Sequence, residues 1–419
     1  MRANAGVDKV RNSTGRALAG IFLVVAIAGC GESPASPSPS PSPSVSRTVS
    51  PIPTLAATPT PTPTPTPSFV ATGSMHEGRM NATATLLQNG KVLIAGGSPE
   101  SSVDSSAVTD SAELYDPSTG KFTSTGSMVT GRMSATATLL SDGRVLIAGG
   151  WGCLTKACNP EPAGHEEGYL KSAELYDPGT GKSTSTGPME RLYDSATLLP
   201  DGRVLMLGAE QSVAAYDPTS GNFTLIGTLL NDYDTAIATP IAGGQVLIVG
   251  YKSPGQGPSD LALYAAELFD LASGRSSPLT IPLPAGGSAG PGVAAAVALT
   301  KEGGVLVCLD NNLVTYDPAT RSFTQTGTFS VPSQWNGATT TLLPGDRFLF
   351  TGGQTDLGAE TTDMAALYDP TNGFQMIGSM IHRRSGQTAT LLPDGTILIA
   401  GGPSDTVGES TASAELLRL

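Results

Sequence analysis

The sequence predicts an all-β fold: a seven-bladed β-propeller of four-stranded antiparallel blades, closed by an N-terminal outer strand that completes the C-terminal blade. Three observations carry this. First, a phrase repeats: ATATLLQNGKVLIAGG over residues 82–97 returns as ATATLLSDGRVLIAGG over 135–150 and as QTATLLPDGTILIAGG over 387–402. A unit recurring at tens of residues is one supersecondary module that cannot bury its apolar face alone. Second, tight Gly-containing dipeptides split each unit's apolar core into two strands. Third, a Tyr-Asp-Pro signal follows in most units after a variable loop. Composition agrees: only 14% of the 419 residues are charged, while Gly (51) and Pro (33) are abundant, as expected of short strands joined by turns.

The N-terminus is an address. Arg2, Lys9, Arg11 and Arg16 precede an apolar run from Ala17 to Ala28, the order of a secretory signal. The run is shorter than the roughly 20 residues that a spanning helix takes. It ends Ile27-Ala28-Gly29-Cys30, which resembles a bacterial lipobox. That resemblance implies removal of residues 1–29 and acylation of Cys30; an ordinary cleaved signal with an incidental Cys is the alternative. Residues 30–67 then read as a lipidated Cys and a disordered Ser/Thr/Pro stalk, with Pro alternating over 58–67. At about 3.1 Å per residue such a polyproline-like segment extends on the order of 100 Å. The expected location is therefore the bacterial cell envelope, outside the cytoplasm, with the membrane touched through the lipid anchor only.

From residue 68 onward the units can be counted. Inner hairpins are expected at Asn89-Gly90, Asp142-Gly143, Asp201-Gly202, Gly243-Gly244, Gly303-Gly304, Gly345-Asp346 and Asp394-Gly395, dipeptides that supply the positive φ of two-residue turns. The third strands end at Asp116, Asp177, Asp217, Asp270, Asp317 and Asp369, whose carboxylates can accept backbone N–H bonds in a longer turn. Fourth strands open at Phe122, Phe223, Phe323 and Phe374. The seventh unit stops after its third strand at Leu419, whereas Phe69–Met75 aligns with Phe122–Met128 and has no unit before it. The simplest inference is that this strand closes a ring and removes the free edges.

The Gly-Gly after the second strand, then a Tyr, then an aromatic seven residues on (Tyr115 to Phe122, Tyr216 to Phe223, Tyr316 to Phe323) resembles the Kelch repeat over residues 68–419. Departures cluster in the middle. Leu207-Gly208, Val249-Gly250 and Leu309-Asp310 replace Gly-Gly, and Ser183 and Ser276 replace the aromatic, so those blades are expected to be looser. The resemblance implies a galactose-oxidase-like propeller. It also raises two enzyme classes as alternatives: copper oxidases of that type and sialic acid mutarotases.

Function is expected on one face. The inner hairpin turns are uniformly tight, whereas the second-to-third loops run long in five units, and length variation on one face of a uniform scaffold is where binding usually resides. The connections between blades on that face carry Arg79, Arg132, Arg191, Arg383 and Arg384, with Tyr193, Tyr233 and Trp335 nearby, and Trp151 opens the longest loop. These nine residues are the ligand-binding candidates. Guanidinium groups around a channel mouth can hold a carboxylate, an acidic sugar or an acidic peptide. Alternatively, Arg at a fixed register braces carbonyls or carboxylates of the neighbouring blade. Trp335 suits a stacking contact or a buried wedge.

Cys153 and Cys158, in the longest loop, are expected to form a disulfide in an exported protein, rather than a zinc pair. Glu161, His165, Glu166 and Glu167 share that loop as a solvated acidic stretch, and Cys308 reads as a buried small hydrophobe. No cofactor or metal is expected: with three His in all, the Tyr and His donors of a copper oxidase are not matched, and no Ser/His/Asp order stands in the sequence. A net charge of -13 argues against nucleic acid. The expected protein is a monomeric, non-catalytic propeller that binds an extracellular protein or glycan, with a carbohydrate-active enzyme as the alternative.

Overall fold

The structure, a computed structural model, describes residues 23–24, 66–99, 107–153, 167–252, 263–282, 296–300, 303–309, 312–328, 338–355, 360–403 and 410–419. The described residues are all-β. In the first unit Thr83–Leu86 pairs antiparallel with Val92–Ala95, which pairs with Ala112–Asp116, which pairs with Lys121–Ser124. The later units repeat this order as four-stranded antiparallel sheets, and the sixth carries further pairings, including Leu23–Val24 parallel to Thr340–Thr341. In the last, Thr388–Leu391, Ile397–Ala400 and Ala414–Arg418 are joined by Ser68–Ala71, which pairs antiparallel with Ala414–Arg418.

Burial explains why the second strands are continuous apolar runs. Val92–Ala95, Val145–Ala148 and Ile397–Ala400 are buried at every position, because both faces of each sheet are covered by its neighbours. Apolar clusters are shared by consecutive sheets. Leu93 and Ala95 pack with Val145, Ile147 and Tyr176 of the next sheet, while Val92, Ile94 and Tyr115 pack with Leu398 and Ala400 of the last one. Likewise Thr83–Leu86 lies beside both Thr136–Leu139 and Thr388–Leu391. The packing is a β-propeller-like arrangement.

Polar ties between sheets follow the same register. Tyr115 shares a 2.9 Å hydrogen bond with Thr72, and Tyr176 a 2.7 Å bond with Thr125, each Thr standing three residues after the first aromatic position of the preceding outer strand. In the fourth sheet both partners change together. Phe269 has no hydroxyl, and Ile226 replaces the Thr and packs against its cluster. Nearer the inner edge, the Thr197 and Thr339 hydroxyls donate to the carbonyls of Ala238 and Gln387 on the following first strands, at 3.0 and 2.9 Å. The Tyr–Phe pairs are direct cross-strand partners, with centroids 4.8 Å apart for Tyr115–Phe122 and Tyr216–Phe223. Where Ser183 and Ser276 replace the aromatic, their hydroxyls are buried without a partner.

The inner turns correct one expectation. Gly90 donates its N–H to Leu87 O at 2.9 Å and Leu87 donates to Lys91 O at 2.8 Å, and of Asn89-Gly90 only the Gly has positive φ, 80°. This is a type I turn followed by a left-handed Gly, a three-residue loop with a bulge, not a two-residue turn. Asp142-Gly143, Asp201-Gly202 and Asp394-Gly395 repeat both bonds. The cause is the side chain: Asn89 and Asp142 accept the N–H two residues on, from Lys91 and Arg144 at 3.1 and 3.0 Å, which keeps them right-handed. Gly243-Gly244 and Gly345-Asp346 do hold both residues at positive φ.

The outer turns use Asp as expected: Asp116, Asp177, Asp217, Asp317 and Asp369 each accept the N–H two residues on, at 2.8–3.0 Å. Hydrogen bonds hold many of these carboxyls below the usual range, first from the Ser118 side chain to Asp116, from Gly179 N–H to Asp177 and from Thr219 N–H to Asp217, and at an inner turn the Thr396 side chain does the same for Asp394. A carboxyl whose folded pKa is depressed contributes stability above its unfolded pKa, about 4, and loses it as pH falls through the folded value. The unfolding temperature therefore falls as pH drops below about 4. Calorimetry between pH 5 and 2.5 checks this, and a flat profile contradicts it.

Candidate functional site

The second-to-third loops and the connections between sheets lie on one face, and there a clamp recurs. A buried Met or Leu (Met75, Met128, Leu229, Met380) is followed by a residue whose backbone N–H donates to a buried Glu of the third strand. His76, Val129, Leu230 and Ile381 donate in this way to Glu113, Glu174, Glu267 and Glu415, at 2.9, 2.6, 2.8 and 2.7 Å. Three residues further on, a side chain donates to the other carboxylate oxygen: Arg79 Nη2, Arg132 Nη2 and Arg384 Nε at 3.0, 2.9 and 2.9 Å, and the Tyr233 hydroxyl at 2.9 Å.

The three arginines are spent on this clamp. Arg79, Arg132 and Arg384 are at most 2% exposed, and their Nη1 groups donate to the carbonyls of Gly96, Gly149 and Gly401 at 3.0, 2.8 and 2.6 Å. Burial pushes the Arg132 and Arg384 pKa values down, against the paired carboxylate. They do not form a ring of free guanidinium groups at a mouth. They brace, but within the sheet they lead into rather than the neighbouring one. Burial pushes the Glu113 carboxyl up, yet the bonds from the His76 side chain and backbone and from Arg79 outweigh it and hold the pKa low.

Arg191 and Arg383 behave differently, for a reason visible in sequence. At the register of the clamp Glu the third sheet carries Ala214, fully buried, and the side chain four residues after the buried Met189 is that of Tyr193, also buried; Arg191, two residues earlier, pairs at the surface with Glu210. Arg383 is exposed beside Glu360, 3.4 Å away. The clamp Glu itself is absent from the expected site residues: Ala-Glu-Leu looks like a strand signal. The available clue was that this Glu stands only in units with Arg or Tyr five residues before the second Ala of the repeated phrase, or its equivalent.

Tyr233 and Tyr193 are buried, at 8% and 4% exposure, and support the surface from below. Burial, then the Glu267 charge, pushes the Tyr233 phenol well above the ordinary tyrosine range, so it stays a donor. Its ring covers Gly250, where an added Cβ would lie 2.4 Å from Tyr233 Cδ1 and 2.6 Å from Thr235 O. The departure from Gly-Gly at Val249-Gly250 thus keeps the Gly that contact needs. Gly250→Ala is expected to cost about 1–3 kcal/mol by overpacking, read from urea unfolding; an unchanged midpoint contradicts the contact.

On the looped face the second, third and fourth sheets differ in how far their strands continue. The second-to-third connection of the third sheet is a tight turn, Ala209–Gln211, with Glu210 and Gln211 at positive φ. On either side the neighbouring sheets rise higher. In the second, Trp151–Cys153 pairs with Glu167–Tyr169, and Trp151–Gly152 also with Arg132–Met133. In the fourth, Gln245–Lys252 and Leu263–Asp270 stay paired out to Lys252 and Leu263. Each hairpin bears a cross-strand aromatic pair: Trp151 and Tyr169 edge to face at 5.1 Å, and Tyr251 and Tyr264 at 5.8 Å. Tyr169 is 40% exposed. The Arg191–Glu210 pair lies at the surface of the third sheet, whereas the Tyr251–Tyr264 pair stands on the other side of the fourth sheet, where Tyr264 packs against the cluster shared with the fifth. Tyr169, Tyr251 and Tyr264 were not among the expected residues, because nothing in sequence fixes which loop residues continue the strands.

Trp335, Cys158, Cys30, His165 and the stalk up to residue 65 lie outside the described residues; Cys153 is described in its backbone pairing with Glu167. Cys308 is buried, as expected. The opposite face holds a shallow cleft of about 230 Å³ lined by Asp142, Asp201, Arg203 and Asp217. Those carboxylates are engaged by Arg144, Arg203 and the N–H of Thr219.

The chain matches no family model and no curated protein. Among solved structures it is similar to one titled a novel fungal alcohol oxidase with catalytic diversity among the AA5 family, in complex with copper. The TM-score is 0.60 at 16% identity, covering 84% of this chain and 75% of that one. The shared feature is a galactose-oxidase-like β fold. Copper tests poorly against the residues present: among the described residues no three His, Cys, Asp or Glu converge, and His76 Nδ1 lies 2.7 Å from Glu113.

Proposed function

We propose that the chain is a lipid-anchored envelope protein whose domain, a closed seven-bladed propeller of the Kelch type, acts as a non-catalytic recognition module through the face that carries the long loops. Closure is supported by the apolar clusters, which pass from each sheet to the next and from the last to the first. The observation that carries the function is the division of labour on that face. Arg79, Arg132 and Arg384 are consumed by the scaffold, whereas the exposed pairs and aromatic hairpins gather where the repeat breaks off. The N-terminal strand supports the orientation. Ser68 is paired with Arg418 and Ala71 with Glu415, so this strand runs from the plain face towards the looped one and the stalk enters from the plain side. The looped face then points away from the anchor.

An oxidase reading is favoured by the fold of the copper-bound alcohol oxidase alone, and the donor set does not fit it. Two measurements test the proposal. Cys30→Ser should move the chain from the membrane to the soluble fraction; retention in the membrane overturns the anchor. Incubation of the full chain with copper and then with galactose or a primary alcohol should release no hydrogen peroxide, and copper-dependent release would replace the binding module with an oxidase.

A further inference from the structure

We propose that the inner edge of the sixth sheet, Thr339–Leu343, is the binding site for an extended, uncharged segment of a partner protein, which adds to it as a parallel strand. An occupant of this kind is already seated there: Leu23–Val24, from the N-terminal signal, pairs in parallel, Leu23 with Thr340 and Val24 with Thr341. The other edge of Thr339–Leu343 is taken by Arg347–Thr351. Among the described residues, the first strands of the six other sheets end their sheets, with nothing paired on that side. Such an edge is a row of N–H and C=O groups that accepts a further strand. The inference rests on the reading of a processed, closed propeller that recognises through its looped face, because loss of residues 1–29 vacates the edge for a partner.

The edge decides the chemistry of the ligand. Its groups repeat along the strand at about 3.3 Å per residue, a spacing that another polypeptide backbone matches and a chain of pyranose rings does not. Its direction is fixed as well. Thr339–Leu343 leaves the connection on the looped face and ends at the Gly345-Asp346 turn, so a parallel occupant has its N-terminal end towards the looped face. The first strands of the seven sheets carry one charged residue, Asp194 of the third sheet. A charge brought to the sixth would therefore lose water without gaining a counter-charge there. The edge is also held in shape. The Thr339 hydroxyl donates to Gln387 O at 2.9 Å, and Thr340 replaces the Ala of the repeated phrase, Ala84, Ala137 and Ala389. Thr339, Thr340 and Thr341 are all buried, and three β-branched residues in a row favour the extended backbone. An edge prepared in this way loses little freedom on binding.

The test uses the full chain, with residues 1–29 retained and verified by intact mass. The probe is a synthetic peptide of residues 20–26 flanked by Lys for solubility. In the unaltered chain the edge is filled, so the probe should bind weakly. Leu23→Pro combined with Val24→Pro takes two backbone donors from the chain's own segment and should raise the affinity for the probe at least tenfold, with slowed amide exchange in residues 339–343. The same peptide methylated at the backbone nitrogens of Leu23 and Val24 keeps every side chain and charge and should bind at least tenfold more weakly. No binding of the probe to the double proline variant at millimolar concentration overturns the proposal. Equal binding of the methylated peptide overturns it too, since that is apolar adsorption, as does protection that leaves residues 339–343 unchanged. If the probe fails while a glycan or protein from array screening binds through the second-to-third loops, the channel site falls and the looped face stands as a recognition surface.

Discussion

Glu174→Ala is expected to destabilise the protein by about 3–5 kcal/mol, because it leaves the Arg132 guanidinium buried without its counter-charge. The Val129 N–H, which donates to the same carboxylate at 2.6 Å, is orphaned with it. Replacing both partners, Arg132→Met with Glu174→Leu, should recover much of the loss, since apolar groups of similar size remove the desolvation cost along with the attraction. Arg191→Ala, in the corresponding connection but at the surface beside Glu210, should cost less than about 1 kcal/mol. Urea unfolding of the four proteins separates the cases. Equal effects for Glu174→Ala and Arg191→Ala would mean that the clamp is not a structural element.

Deletion of residues 1–71 is expected to have the second large effect. It removes the strand that covers Ala414–Arg418 and leaves that third strand as an open edge, a template for pairing with other chains. A loss of about 3–5 kcal/mol corresponds to a fall of about 4–7 °C in unfolding temperature for a domain of this size, with self-association on standing. A synthetic peptide of residues 66–74 should restore the temperature in a concentration-dependent way, because it binds the folded edge only. An unaltered unfolding temperature in the deleted chain would contradict closure by this strand.

Much of this fold was legible in the sequence, because each sheet repeats the same few physical decisions. The Asn-Gly and Asp-Gly turns, the Asp-Pro turns and the Tyr–Phe cross-strand pairs are short-range chemistry, and short-range chemistry is written locally. The turn type was missed at Asn89-Gly90, since whether the Asn takes positive φ depends on the bond its side chain makes to Lys91. The site was far less legible. Counted back from the repeated Ala-Thr-Leu, Arg191 matches Arg79, but an irregularity between Tyr193 and Ser195 shifts the pairing and Tyr193 takes the interior position, opposite a third strand with Ala214 in place of Glu113. That difference stands some thirty residues away, across a loop of variable length. Trp151 and Tyr233 were recognisable as residues of the looped face, but their roles, one on a raised hairpin and the other beneath the surface, depend on how far each sheet continues its pairing.

The claim that recognition resides on the looped face, with the repeated phrase as scaffold, is tested most directly by amide hydrogen exchange of the full chain with and without a protein or glycan that array screening of the full chain shows it to bind. Slowed exchange is predicted within the loops and connections of that face, such as residues 151–153, 167–170 and 209–212, with no change in the turns at Asn89-Gly90, Asp142-Gly143, Asp201-Gly202 and Asp394-Gly395. Protection confined to those turns, or none in either set, would contradict it.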